Sequence, residues 1–128
     1  MKNKVAVWCR VRPSAQFASN AIRISKEDKA ISIHYPRDDK HGHVNNQTLD
    51  WSFRLDGILH QASQDDVYHA CVERMVGDAL KGYSGTVMCY GQTGAGKTFT
   101  MTGTTENFHH RGVIPRGIAG LFFIYIHM

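Results

Sequence analysis

The tightest constraint on this chain is the octet Gly91-Gln92-Thr93-Gly94-Ala95-Gly96-Lys97-Thr98, which fits the spacing G-x-x-x-x-G-K-[ST]. Its setting gives the match weight. Thr86-Val87-Met88-Cys89-Tyr90 precedes it, a mostly apolar run of strand formers behind the turn residues Ser84 and Gly85. Such a run reads as a strand buried on both faces. Residues 97–101 can open a helix that Gly103 ends. Strand, glycine-rich loop and helix in that order make a phosphate-binding site, whereas the octet alone would equally suit a surface turn that carries a lysine.

The residue types explain what the loop would hold. Consecutive backbone N–H groups at a helix N-terminus offer donors and a positive dipole end to a polyanion. Gly91, Gly94 and Gly96 let the backbone curl through angles that a side chain would forbid. Lys97 supplies a compact charge for the β- and γ-phosphates, and the Thr98 hydroxyl is placed to ligate Mg²⁺. The loop therefore points to a nucleoside triphosphate with magnesium, and leaves base and purpose open.

Composition narrows the class. With 128 residues, 42% of them hydrophobic and 20% charged, the chain suits one modest globular domain. A net charge of +4 leans toward an acidic partner but is too small to choose among nucleic acid, membrane and protein. Cys9, Cys71 and Cys89 are odd in number and lack C-x-x-C spacing, so reduced, buried thiols are expected. The N-terminal apolar run is short and broken by Arg10 and Arg12, unlike a signal peptide. The longest apolar run, residues 121–126, falls far short of the roughly 20 residues of a membrane span. These features read as a cytosolic chain.

Taken in order, Val5-Ala6-Val7-Trp8-Cys9 is a buried-strand candidate that Pro13 stops. Ile22 and Ile24, then Ile31, Ile33 and Tyr35, alternate with period two and predict an antiparallel pair. A charged loop with His41-Gly42-His43 follows; it lacks a nearby third metal ligand. Trp51-Ser52-Phe53-Arg54-Leu55 reads as another strand, ended by Asp56-Gly57. Residues 63–82 form the clearest helix. Ser63 and Asp66 are placed for its cap, Tyr68, Cys71, Val72, Met75, Val76, Ala79 and Leu80 form one apolar stripe, and Gly82 closes it. His109-His110 suits a loop better than a metal site. A last helix begins near Gly112-Val113-Ile114-Pro115, and its face of Ile118, Leu121, Phe122 and Tyr125 has nothing later in the chain to pack on. No domain boundary is expected.

Several segments together carry a resemblance. They are Cys9-Arg10-Val11-Arg12-Pro13, Gln64-Asp65-Asp66-Val67-Tyr68 and Gly82-Tyr83-Ser84-Gly85-Thr86-Val87. The run from Tyr90 through Lys97-Thr98-Phe99-Thr100-Met101 and Arg111-Gly112-Val113-Ile114-Pro115-Arg116 complete the set. In that order and spacing the chain closely resembles the N-terminal part of a kinesin motor domain, over nearly all its length. Val44-Asn45-Asn46-Gln47, Leu55-Asp56-Gly57 and Thr102-Gly103-Thr104-Thr105-Glu106-Asn107 are similar to the ninth kinesin family, whose members are associated with motile cilia.

The resemblance implies an α/β fold of the phosphate-loop type, a central, mostly β sheet flanked by helices. It implies ATP and Mg²⁺ as cofactors and microtubules as partner, with no nucleic-acid or membrane partner. It places the protein in the cytoplasm on the microtubule cytoskeleton, extending to the cilium or flagellum. It assigns Arg10, Arg12 and Pro13 to the adenine end of the nucleotide and Phe99 to stacking on the base, a role that suits a planar ring.

The departures are as informative. Ser84 stands where the family has Asn, and Leu55 and Leu59 where it has aromatics. The first switch, Asn-x-x-Ser-Ser-Arg-Ser-His, and the second, Asp-Leu-Ala-Gly-x-Glu, do not occur in residues 1–128. The catalytic residues they carry are therefore absent from these residues. The expectation is one motor domain, cut before its switches, that can hold nucleotide with little to drive hydrolysis. Two other readings stand beside it: another class of phosphate-loop enzyme, against which Arg10-Val11-Arg12-Pro13 argues, and a nucleotide-binding module without motor activity.

Overall fold

The computed structural model describes residues 5–35 and 49–127. The His41-Gly42-His43 and Val44-Asn45-Asn46 stretches lie outside the described residues. The chain divides into two compact units, Met1–His60 and Gln61–Met128.

The first unit holds the strands. β1 (Trp8–Val11) starts three residues later than expected, and Val5 and Val7 ahead of it are exposed. It pairs in parallel with β5 (Gly57–His60), Trp8 opposite Gly57. The strand expected before Asp56-Gly57 does end there, at Arg54; the correction to the sequence reading is that a new strand, β5, begins at Gly57. Asp56 starts the ladder: its N–H donates to the Val7 carbonyl at 2.8 Å and its carboxylate accepts the Val7 N–H at 2.9 Å. Gly57 lies so close to the Trp8 ring that a Cβ there would collide with it. That glycine serves a close approach, which in sequence looks the same as a turn.

The second sheet is antiparallel in the order β2-β3-β4, built from Ile22–Ser25, Ala30–His34 and Asp50–Arg54. Its register sets Ile22 opposite Ile33, Ile24 opposite Ile31, and the same two β3 isoleucines opposite Trp51 and Phe53. All six side chains therefore share one face, as period-two alternation requires. The other face carries Arg23, Ser32, Ser52 and the His34–Asp50 pair at 2.7 Å.

The second unit is helical. The expected single helix is two, α1 (Gln64–Cys71) and α2 (Glu73–Leu80), kinked at Val72. The backbone ladder runs through the kink, Val72 N–H to Tyr68 O at 2.9 Å and Val76 N–H to Val72 O at 3.1 Å. No glycine or proline marks the spot, and α4 (Val113–His127) packs on both halves. The N-terminus is as expected: Ser63 and Asp66 form a reciprocal capping box. Val67, Tyr68, Val72 and Val76 are buried, while Ala79 and Leu80, at the end of the expected stripe, are exposed.

α4 meets α1 and α2 along Val113, Gly117 and Gly120, not along its bulkier residues. Its outer side chains Ile118, Phe122 and Tyr125 are exposed, and Leu121 is half-buried. The run of residues 86–90 is a second correction. It is not a strand, and Met88 and Tyr90 are 84% and 99% exposed. Strand-forming side chains do not suffice where no neighbouring strand takes up the backbone N–H and C=O groups.

His69 spans the kink, with Nδ1 2.9 Å from Glu73 of α2 and Nε2 3.3 Å from Asp65 of α1. The Glu73 hydrogen bond, reinforced by the charges of Glu73 and Asp65, raises its pKa above the ordinary 6.5. A raised folded pKa means that the stabilisation is complete below the unfolded value and is lost as pH rises through the folded one. His69→Gln is therefore expected to lower the melting temperature at about pH 5.5 and to have little effect at about pH 8.5. A deficit equal at both pH values would show that the imidazolium pairs contribute nothing.

Candidate functional site

The octet forms a tight loop ahead of α3 (Lys97–Met101). Gly94 and Gly96 have φ of +81° and +97°, in the left-handed region that side chains disfavour. Gly96 occupies the cap position of α3, so the chain enters the helix directly from that left-handed turn. Ala95 N–H closes the loop onto Gln92 O at 3.1 Å. Lys97 folds back over it, and its Nζ donates to Gly91 O at 2.8 Å and Gln92 O at 2.9 Å. The ammonium is thus held over the loop's mouth by carbonyl oxygens. Thr98 is exposed in the first turn of α3, and Phe99 beside it is 41% exposed.

What holds α3 in place lies outside the octet. Thr98 O accepts both Thr102 N–H at 2.8 Å and Gly103 N–H at 3.2 Å, which turns the chain out of the helix. The chain then returns: Gly103 bridges Arg111, Thr104 N–H meets His110 O at 3.1 Å, and Gly112 N–H meets Thr102 O at 2.9 Å. Phe108–His110 makes one 3₁₀ turn at the far end of this excursion, where loop structure was expected for His109-His110. Arg116 fixes the return from the α4 side. Its guanidinium pairs with Asp65 at 2.5 Å and donates to Arg111 O at 2.9 Å and His109 O at 3.3 Å.

Gln64 is the residue that sequence reasoning passed over. At 2% exposure it is the buried polar side chain of the described residues. Its Nε2 donates to Phe99 O at 2.6 Å and to His110 O at 3.2 Å. The signal was present: Gln64 lies four residues before Tyr68, on the buried stripe of the helix, where a polar residue needs partners.

Gly91, Gln92, Thr93, Gly94, Ala95, Gly96, Lys97, Thr98 and Phe99 thus come together in the second unit. Arg10, Arg12 and Pro13 belong to the first, at and just beyond the end of β1. None of the three cysteines forms a disulfide, all are half-buried, and burial pushes the Cys9 thiol up from its ordinary pKa. Among the described residues no group of three His, Cys, Asp or Glu side chains could hold a metal ion. Nor is any described helix long and apolar enough to cross a membrane.

An α/β chain whose glycine loop opens a helix and folds a lysine over its own carbonyls has the form of a phosphate-loop protein. The family model for the kinesin motor domain matches residues 10–127, and the chain belongs to that family. It is 54% identical over 121 residues to Kinesin-like protein KIF9 of Mus musculus, covering 94% of this chain and 15% of the relative. It is 52% identical to Kinesin-like protein KIF9 of Homo sapiens, with the same coverage. Kinesin-like protein KLP1 of Chlamydomonas reinhardtii is 41% identical over 122 residues, 95% of this chain and 16% of the relative. The chain therefore spans about 15% of the length of the first of these curated relatives.

The return at Gly112 depends on having no side chain there. A Cβ at Gly112 would lie 2.5 Å from the Met101 carbonyl carbon and oxygen, backbone atoms that cannot step aside. One at Gly117 would meet only Val76 Cγ2, at an ordinary 3.7 Å. Gly112→Ala is expected to cost about 1–3 kcal/mol of stability in a denaturant titration. Gly117→Ala should be neutral, or stabilising by up to about 1 kcal/mol, because alanine favours the helix. Equal effects of the two would mean that α3 is not held by this close approach.

Proposed function

We propose that this chain is the N-terminal, nucleotide-binding part of a single motor domain that couples ATP hydrolysis to movement along microtubules. The carrying observation is the loop: Gly94 and Gly96 in left-handed conformations, with Lys97 Nζ poised over carbonyls at 2.8 and 2.9 Å. An ammonium held there can exchange neutral carbonyl oxygens for the β- and γ-phosphate oxygens of ATP, a stronger, charge-assisted contact. Backbone N–H groups in the first turn of α3 would supply further donors.

Thr98 is the residue that would hold Mg²⁺. Its exposed hydroxyl suits a hard cation that takes oxygen ligands and keeps several waters. When bound, the ion would neutralise charge that develops on the phosphate oxygens. Phe99, partly exposed beside the loop, offers a ring face to the adenine. For Arg10, Arg12 and Pro13 at the adenine end, the support is the motif alone. The 54% identity to KIF9 and the ninth-family likeness support action on cytoplasmic microtubules, those of a cilium or flagellum included. The membership argues for ATP turnover in the full-length protein. The two switch motifs are not in residues 1–128, so these residues by themselves are expected to bind nucleotide without microtubule-stimulated hydrolysis.

In the full-length protein, Lys97→Ala is expected to reduce microtubule-stimulated phosphate release by on the order of 10² to 10³ or more. Near-normal turnover in that variant would sink the assignment of the loop. The same assay on residues 1–128 tests the second claim, where stimulation by microtubules would count against it. Phe99→Ala should raise the KM for ATP with kcat spared, because stacking persists from ground state to transition state. A fall in kcat at constant KM would contradict base stacking.

A further inference from the structure

We infer that Gln64 is a positioning residue for nucleotide-base recognition: its buried side-chain amide sets the place of Phe99. This rests on the reading of Phe99 as the stacking ring. α3 has only five residues, so Phe99 cannot draw its position from a long helical ladder. The amide that a continuing helix would send to Phe99 O is that of Gly103, which turns to Thr98 O instead. Gln64 Nε2 donates to Phe99 O at 2.6 Å. The same nitrogen reaches His110 O at 3.2 Å, and the His110 ring stands 6.2 Å from the Phe99 ring, centroid to centroid. One amide thus fixes the residue with the ring and the residue whose ring lies beside it.

Gln64 is itself well anchored. It is the first residue of α1, directly after the N-cap Ser63 and within the Ser63–Asp66 capping box, and its 2% exposure keeps water from competing for its donors. Both acceptors are backbone carbonyls, so the contact sets where the chain runs and not merely how a side chain turns. The loop holds Lys97 by Gly91 O and Gln92 O, whereas Gln64 Nε2 reaches Phe99 O and His110 O. The amide is therefore expected to act on the base end of the nucleotide and to leave the phosphate end alone.

The test measures binding of Mg·ATP and of Mg·tripolyphosphate, which has no base, by calorimetry on the full-length protein. Gln64→Met keeps the length of the side chain and removes the donors. It is expected to weaken ATP about fivefold to tenfold, the scale of one or two lost hydrogen bonds, and to leave tripolyphosphate unchanged. In a Phe99→Ala background Gln64→Met should have no further effect on ATP. Steady-state turnover should show a raised KM with kcat kept. Gln64→Asn retains the amide one methylene short; if the Met variant does not fold, Asn should give a smaller loss, again confined to ATP. Equal weakening of both ligands by either variant would overturn the proposal, since Gln64 would then be holding the whole loop. So would unchanged binding of both. If Phe99→Ala itself leaves the ratio of the two affinities unchanged, the stacking reading has failed, a result separable from failure of Gln64 because it appears with Gln64 intact.

Discussion

A helix of five residues makes too few backbone hydrogen bonds to persist alone, and α3 stands because of what is attached to its far end. Gly112 brings the returning chain against Met101, and its N–H ties to Thr102 O. Gln64 reaches from the start of α1 to the last turn of α3, and Arg116 holds the return from α4. These ties come from three separate parts of the chain, and Phe99 sits on the helix they hold. The position of Phe99 is thus supported by a residue 35 positions away in sequence, Gln64.

The packing behind this arrangement is economical. The buried apolar side chains of the described residues are Leu59, Val67, Tyr68, Val72, Val76 and Val113, and five of the six lie in the helical unit. α4 comes close to its neighbours by omission: Gly117 and Gly120 bring its backbone against Val76 and Tyr68, leaving Phe122, Phe123 and Tyr125 outward. Glycine costs helix propensity, and here the cost is set against closer contact between backbones. Charge plays a supporting part. The pairs of His69 with Asp65 and Glu73 are exposed, which limits what each contributes, while Arg116 is largely covered.

Local chemistry was legible in sequence wherever it is decided within a few residues. The Ser63–Asp66 capping box, the alternation of Ile22, Ile24, Ile31 and Ile33, and the end of α3 at Gly103 are all found where expected. Each depends on a short-range rule: a cap bond, a two-residue period, a left-handed turn. The failures are of another kind. Residues 86–90 have the side chains of a buried strand, but a strand is completed by its neighbours. The bend at Val72 has no breaker in sequence, and Gly57 reads as a turn although it makes room for Trp8.

By itself, then, the sequence determined the membership of the chain, the phosphate-loop octet and the residue types that suit a nucleoside triphosphate, because those are matters of identity and spacing. Only the tertiary structure decided that Lys97 rests on Gly91 and Gln92, that Gly112 must approach Met101 without a side chain, and that Gln64 supports Phe99. The reason is physical. A hydrogen bond from residue 64 to residue 99 leaves only a faint mark in sequence, a polar residue on an apolar stripe. Its partner is chosen by how two helices and a loop pack, and no local preference encodes that choice.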